Sequence, residues 1–319
     1  MEDDDLAQQV LDVAADVESM ETRGAAPIAT AVAKALRAQA EESDAADVAQ
    51  LQAELRAAAR RLLATRPTAV SLPNALRYVL QRAEGESVAA VRASVDGSVA
   101  EFCRRLDTAK ADLGTVGANR LRDGDRMMTH CHSTDALACI EAAVEQGKSL
   151  SAIVKETRPR NQGHITAREL SEMGVDVTLV VDSAARRYMN DVDHVLVGAD
   201  AIAADGSVVN KIGTSGLAVV ARERGTPVMV AAQTLKLDPD TLTGQTVDIE
   251  MRSEAEVLPD ERRADLGDVR VENPAFDVTP PRHVDAIVTE RGQFPPESVV
   301  TLMRELFGEG PANPWEDGP

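Results

Sequence analysis

Two short runs of the chain end in side chains that could move protons. RMMTHCHSTD (Arg126–Asp135) places Cys131 after an apolar stretch, and HVLVGAD (His194–Asp200) closes on Asp200. Both stretches have strand character, and reactive groups in a parallel α/β sheet gather where strands end at their carboxyl edge. A thiol just before a helix start is expected to have its thiolate favoured by the helix amino terminus. A carboxyl at the end of a buried strand is expected to be pushed toward its neutral, proton-donating form. A base and an acid facing one pocket point to an isomerase.

Neighbouring motifs suggest other chemistry less strongly. In His130-Cys131-His132 a continuing strand would put both histidines on one face and the thiol on the other. With His164, His194 and His283 isolated along the chain, no metal site is expected. Cys139 falls at helical spacing between Leu137 and Ile140, and Cys103 sits beside Phe102, so both read as core. NKIGTSG (Asn210–Gly216) precedes a helix, where backbone N–H groups and Lys211 could cradle an anion. Arg23 and Arg66 stand beside the chain-bending Gly24 and Pro67, a placement that suits either phosphate-binding guanidinium forks or plain surface arginines. There is no GxGxxG and no Walker sequence, so no dinucleotide or ATP fingerprint.

Positioning these groups requires two kinds of element. From Leu6 to about Leu113 apolar residues recur at helical spacing, as in Ile28–Leu36, Val48–Leu63, Ala75–Arg82 and Val88–Leu106, broken by a loop between Pro67 and Pro73. After Gly114 short β-rich runs alternate with helices. Strands are expected at Arg126–His130, Ala152–Thr157, Val175–Val181, His194–Gly198, Pro227–Ala231 and Ala286–Thr289. Helices are expected at Thr134–Gln146, Thr166–Glu172, Ser183–Met189, Thr214–Arg224 and Pro296–Phe307. This alternation predicts an α/β class with a doubly wound parallel sheet. The expected domains are residues 1–113, helical, and residues 114–319, built on the α/β sheet that carries the candidate groups. Trp315, in the tail PANPWEDGP, reads as an anchor on a neighbouring subunit or as part of a disordered end.

Composition narrows the function classes. The chain of 319 residues is long enough for two domains. Its 53 acidic against 34 basic residues give a net charge of -19, which argues against nucleic acid as a partner. Aromatics are only 2% and the lysines are Lys34, Lys110, Lys148, Lys155, Lys211 and Lys236, a pattern resembling proteins of salt-saturated cytoplasm. No apolar run approaches the ~20 residues of a membrane span. The start MEDDDLAQQV lacks the basic flank of a signal peptide. Three unpatterned cysteines, Cys103, Cys131 and Cys139, fit a reduced cytoplasm.

The segments RGAAPIA, TRPTAVSLPNALRYV, GDRMMTHCHS, ETRPRNQG, VDSAARRYM, VGADAI, NKIGTSGLA and NPAFDVTPP occur in this order. Together they resemble the archaeal ribose-1,5-bisphosphate isomerase family. Its superfamily includes 5-methylthioribose-1-phosphate isomerase and the regulatory subunits of the translation-initiation exchange factor. The resemblance runs from about Met20 to Trp315 and implies a helical N-terminal domain followed by a Rossmann-like C-terminal domain that forms homodimers or homohexamers. It implies that Cys131 is the catalytic base and Asp200 the acid. Substrate contacts would come from Arg23, Gly24, Ala25, Ala26, Arg66, Ser133, Thr134, Asp135, Asn210, Lys211 and Lys236, with Gln162 matching a glutamine of the methylthioribose relatives.

One departure stands out: Asp135 follows closely on the serine of HCHS, where the family often has a lysine, and an acid is unfavourable beside a phosphate. Backbone N–H groups at that helix start would remain as contacts, and Lys236 would hold the 5-phosphate. The implied reaction is ring opening and proton transfer with no metal or organic cofactor, under a helical domain that closes over the pocket, in nucleoside monophosphate degradation. The rival readings are a methylthioribose-1-phosphate isomerase and a non-catalytic regulatory subunit.

Overall fold

Alanine-rich faces at helical intervals shape the amino-terminal part of the chain. In the computed structural model, which describes residues 6–22, 24–66, 69–307 and 313–316, this part forms α1 (Gln8–Glu18), α2 (Ala25–Glu42), α3 (Val48–Leu63), α4 (Ser71–Leu80) and the start of α5 (Val88–Ala118). Ile28, Val32 and Leu36 of α2 are fully buried among Ala29, Ala33 and Ala40, and these small residues let helices approach closely. Asp47 caps α3 by accepting the Gln50 N–H at 2.9 Å. Pro73 does not bound a loop but lies in the first turn of α4, where a missing N–H leaves no helical bond unmade.

The chain divides into two compact units: residues Met1–Thr108 with Arg304–Pro319, and Ala109–Met303. Trp315 therefore belongs to the helical unit. It is 7% exposed, its carbonyl accepts from Arg60 Nη1 at 2.8 Å, and the Arg77 guanidinium lies 5.3 Å from its ring centre. The expectations of a neighbouring subunit or a disordered end are both corrected here: within the same unit Arg77 lies over the indole and Arg60 holds the Trp315 backbone.

In the second unit apolar runs alternate with amphipathic ones, as β1 (Arg126–Thr129), α6 (Thr134–Glu145), β2 (Ser151–Lys155), α7 (Gln162–Glu172), β3 (Asp176–Val180), α8 (Ala185–Tyr188) and β4 (His194–Gly198). After β5 (Ala201–Ala203) and β6 (Val208–Lys211) come α9 (Thr214–Arg224), β7 (Val228–Ala231), β8 (Leu237–Asp238), α10 (Asp260–Leu266), β9 (Phe276–Thr279), β10 (Ala286–Thr289), β11 (Gly292–Phe294) and α11 (Val299–Phe307). Seven strands pair in the order β11-β10-β7-β4-β1-β2-β3, all parallel except the β10–β11 hairpin. β7 and β10 are buried throughout, as strands covered on both faces must be. Met127, Leu196, Met229 and Val288 from four adjacent strands pack with Leu137 and Ile140 of α6 to form the core.

A second sheet, β8-β5-β6-β9, was not anticipated. Its strands are two to four residues long, too short for a period to register. β6 carries Asn210 and Lys211, while β5 begins immediately after Asp200.

Candidate active site

β1 stops at Thr129, and two residues later Cys131 adopts the left-handed conformation, with φ 70°. Such a backbone costs a non-glycine residue roughly 1–3 kcal/mol and persists only where its surroundings hold it. Three of the four described non-glycine residues with positive φ lie here: Cys131, Thr157 (63°) and Asn161 (54°). Two hydroxyls hold the cysteine backbone. Thr157 Oγ1 accepts the Cys131 N–H at 2.8 Å, and Thr166 Oγ1 donates to the Cys131 carbonyl at 2.8 Å. Gln162, one turn before Thr166 on the same face of α7, places Oε1 3.5 Å from the Cys131 sulfur. Gly163 makes this helix start possible, because a Cβ there would lie 1.8 Å from the Lys155 carbonyl oxygen.

The strand ends before the HCH run, so its three side chains do not alternate. His130 turns inward, with Nε2 2.8 Å from the Ile212 carbonyl and Nδ1 3.2 Å from Thr157 Oγ1. A carbonyl only accepts, so Nε2 carries the ring proton, and the Thr157 hydroxyl between Nδ1 and the Lys155 carbonyl donates to the latter at 3.1 Å. Burial, with Lys155 nearby, draws the His130 pKa down to about 4, leaving the ring neutral. His132 instead meets Thr166 Oγ1 at 3.2 Å.

The expected stabilisation of the Cys131 thiolate is corrected by the structure. Burial pushes the thiol above its ordinary pKa and Asp200 pushes it further, while the His132 N–H, Lys211 and Arg252 pull it down without prevailing. The reason is position: α6 begins three residues later, with Ser133 Oγ already accepting its Ala136 N–H at 3.3 Å, whereas the sulfur is desolvated. Asp200 behaves as anticipated. It keeps accessible surface yet is crowded by protein, and that crowding pushes its carboxyl up despite Lys236, Lys211 and Arg252.

Asp135 is 1% exposed and its carboxylate is fully occupied by Lys236 Nζ at 2.8 Å, Gln233 Nε2 at 2.8 Å and the Gln233 N–H at 3.3 Å. Burial would raise its pKa, but Lys236 and Gln233 together hold it low. The acid that looked misplaced beside a phosphate is the partner of Lys236, which is correspondingly half of a buried pair and not an unpaired cation. Ser133 lies against β4: a Cβ on Gly198 would come within 2.1 Å of its Oγ. Thr134 is exposed at the first position of α6.

NKIGTSG also differs from expectation. The N–H groups of Gly213 and Ser215 donate to the chain's own Asp277 at 2.7 and 3.0 Å, so this helix start is already occupied by a carboxyl of the same chain. Asn210 Nδ2 donates to Thr214 Oγ1 at 3.0 Å, and the buried Lys211 ammonium lies 4.8 Å from the Phe276 ring centre. Burial and Arg252 lower the Lys211 pKa. Behind both loops Lys155 is buried between Asp277 and Asp182, and Asp182 accepts the N–H groups of Thr157 and Arg158 at 2.9 and 2.7 Å.

Thr157, Arg160, Gln162, Lys211, Arg252 and Asn273 line a small cleft open to solvent. Four of them (Thr157, Arg160, Arg252, Asn273) were not singled out from sequence. Arg160 grips Glu256 with two bonds, at 3.0 and 2.5 Å, and Arg252 pairs with Glu250 at 3.2 Å. Of the remaining candidates, Gly24 (φ 88°), Ala25 and Ala26 open α2, and half-buried Arg66 accepts the Ala69 N–H through its carbonyl at 3.0 Å, all within the helical unit. Arg23 lies outside the described residues. Among the described residues no cluster of His, Cys, Asp or Glu is arranged to hold a metal, and no helix is long and apolar enough to cross a membrane.

A helical unit followed by a seven-stranded α/β unit, with its candidate groups at the carboxyl ends of β1 and β4, defines the class. Residues 21–296 match the Initiation factor 2 subunit family, and the chain belongs to it. The ribose 1,5-bisphosphate isomerase of Haloferax volcanii is 71% identical over 315 residues, covering 99% of this chain and 98% of that one. Two solved structures share the fold. The Pyrococcus horikoshii OT3 translation initiation factor eIF-2B matches at TM-score 0.75 and 31% identity, over 92% of this chain and 100% of that one. The 5-methylthioribose 1-phosphate isomerase of the same organism matches at TM-score 0.72 and 33% identity, over 94% and 88%. The acidic, lysine-poor composition is halophilic.

Proposed function

We propose that the chain is an aldose–ketose isomerase converting α-D-ribose 1,5-bisphosphate into D-ribulose 1,5-bisphosphate, with Cys131 as base and Asp200 as acid. The observation that carries the substrate is the 71% identity, along nearly the whole chain, to the Haloferax volcanii isomerase of that name. The chemistry then follows from the substrate. A phosphate on the anomeric carbon blocks spontaneous ring opening, so Asp200 protonates the ring oxygen as the ring opens. The Cys131 thiolate removes the proton from C2, and return of a proton to C1 of the enol gives the ketose. Lys211, Lys236 and Arg252 supply positive charge for the phosphates and for the developing oxyanion.

Desolvation by the surrounding protein pushes both groups up. The productive form, thiolate with neutral carboxyl, holds one proton between the pair. Turnover therefore falls where both groups are protonated and again where both are ionised. In this reading the enzyme works in the cytoplasm as a homo-oligomer, within nucleoside monophosphate breakdown.

Presence of the Cys131–Asp200 pair favours turnover over a purely regulatory subunit. The test is purified protein in molar potassium chloride, which screens the acidic surface. It is given ribose 1,5-bisphosphate or 5-methylthioribose 1-phosphate, with ketose formation followed by NMR. Turnover of the bisphosphate at least ~10²-fold more efficient is expected, a discrimination within reach of a site built for a charged group. Equal or reversed preference sinks the substrate assignment, and no turnover of either sinks the isomerase.

A further inference from the structure

We propose that Thr157 and Thr166 are positioning residues that hold Cys131 in its left-handed conformation, and that this clamp sets the direction in which the sulfur meets substrate. The role rests on the isomerase reading above for its consequence in turnover, but not for its effect on the thiol itself. Each hydroxyl takes one end of the same peptide unit pair: Thr157 Oγ1 accepts from Cys131 N–H and Thr166 Oγ1 donates to Cys131 C=O, both at 2.8 Å. Left alone, a non-glycine residue at φ 70° relaxes to negative φ and swings its Cβ away.

The clamp is itself fixed from behind. Thr157 also sits at positive φ, and the N–H groups of Thr157 and Arg158 donate to Asp182. The Thr157 hydroxyl donates to the Lys155 carbonyl at 3.1 Å and meets His130 Nδ1 at 3.2 Å, while the other side of the ring is tied to the Ile212 carbonyl at 2.8 Å, so an oxygen lone pair is left for the Cys131 N–H. Thr166 is fully buried on α7, whose first turn is pressed against the end of β2 at Gly163. The same helix face carries Gln162, whose Oε1 accepts the thiol proton at 3.5 Å. One rigid helix thus aligns both the carbonyl and the sulfur of Cys131. Geometry of this kind matters because a displacement of about 1 Å at a reacting atom costs on the order of 10²-fold in rate.

Valine is nearly the shape of threonine but lacks the hydroxyl. We expect Thr157→Val and Thr166→Val each to lower kcat roughly 10- to 100-fold with KM within about twofold, since the substrate contacts are untouched. Thr157→Ser and Thr166→Ser, which restore the oxygen, should recover most of kcat. A second arm needs no substrate: the rate of iodoacetamide modification at Cys131, located by mass spectrometry, measured against pH. Relaxation of the clamp should shift that profile by at least about half a pH unit in the valine variants and return it in the serine variants. Wild-type kcat and an unchanged alkylation profile in both valine variants would overturn the clamp. If wild-type protein turns over no sugar phosphate, the isomerase reading fails while the alkylation arm still decides the clamp. Should Thr157→Val not fold, Thr166→Val with its serine counterpart carries the same comparison.

Discussion

The two strand ends that carry Cys131 and Asp200 are built on opposite plans. Cys131 is fixed by bonds: two hydroxyls grip its backbone, a glutamine meets its sulfur, and a buried imidazole and Asp182 secure one of those hydroxyls from behind. Asp200 is fixed by charge: no hydrogen bond reaches its carboxyl among the described residues, but Lys236, Lys211 and Arg252 act on it from around the site. Under the proposed roles, the difference teaches how two strand ends of one sheet can tune a base and an acid separately. A proton acceptor on carbon must sit along one line of approach, so geometry dominates. A proton donor to oxygen tolerates a range of angles, so its energetics are what the surroundings control.

Removing either group should give the largest effect. Cys131→Ala and Asp200→Asn are each expected to lower turnover of ribose 1,5-bisphosphate by about 10²–10⁴-fold, the scale of general acid–base catalysis. Stability separates the two sites. At position 131 glycine should be more stable than alanine by about 1 kcal/mol, because it accepts φ 70° without strain. At position 200 the order should reverse. Thermal melts of the four variants check this, and an alanine advantage at 131 would mean that the left-handed backbone is not held as described.

The next effect belongs to the bonded side alone. His130 has a folded pKa of about 4 against 6.5 for an unperturbed histidine. Between those values the unfolded chain binds a proton that the native ring refuses, so stability is lost as pH falls from 6.5 toward 4. The full extent is about 3 kcal/mol, at 1.36 kcal/mol per unit. Urea midpoints in molar salt should therefore drop between pH 7 and 4.5 in wild type, and distinctly less in His130→Asn. Parallel curves for the two proteins would place the buried imidazole outside the acid response.

Which parts of this were legible in the sequence follows from the range of the forces involved. Val195–Gly198 and Met127–Thr129 are short apolar runs ending in polar residues, so β4, β1 and the reactive groups just beyond them could be read locally. The direction of the Cys131 pKa could not, because the heuristic for a helix start weighs sequence position, whereas desolvation depends on what packs around the sulfur. Asp277 lies 64 residues from the Gly213 N–H that it accepts, and nothing near NKIGTSG announces it. Thr157 and Thr166 are common residues whose role exists only once β2 and α7 meet β1. ETRPRNQG also carries a local signal: a polar cluster between a buried strand and a helix marks a loop at the strand's carboxyl edge.

The last comparison concerns Lys236, on the side held by charge, where the expected change in ligand affinity is modest. As half of a pair with the 1%-exposed Asp135, it cannot be deleted alone without leaving a buried carboxylate unpaired, which costs about 3–5 kcal/mol in stability. Lys236→Met should therefore be strongly destabilised, and Asp135→Asn/Lys236→Met should recover much of the loss. In that double variant the question of phosphate recognition becomes clean. A lysine already shared with a carboxylate contributes at the lower end of a charged hydrogen bond, about 1.5 kcal/mol, or roughly tenfold in affinity. If Lys236 serves the 5-phosphate, the double variant binds ribose 1,5-bisphosphate about tenfold more weakly in calorimetry while ribose 1-phosphate is unchanged. Equal losses for the two ligands would assign Lys236 to the fold or to the other phosphate. No loss for either would leave Lys211 and Arg252 as the cations that tune Asp200 and receive substrate charge.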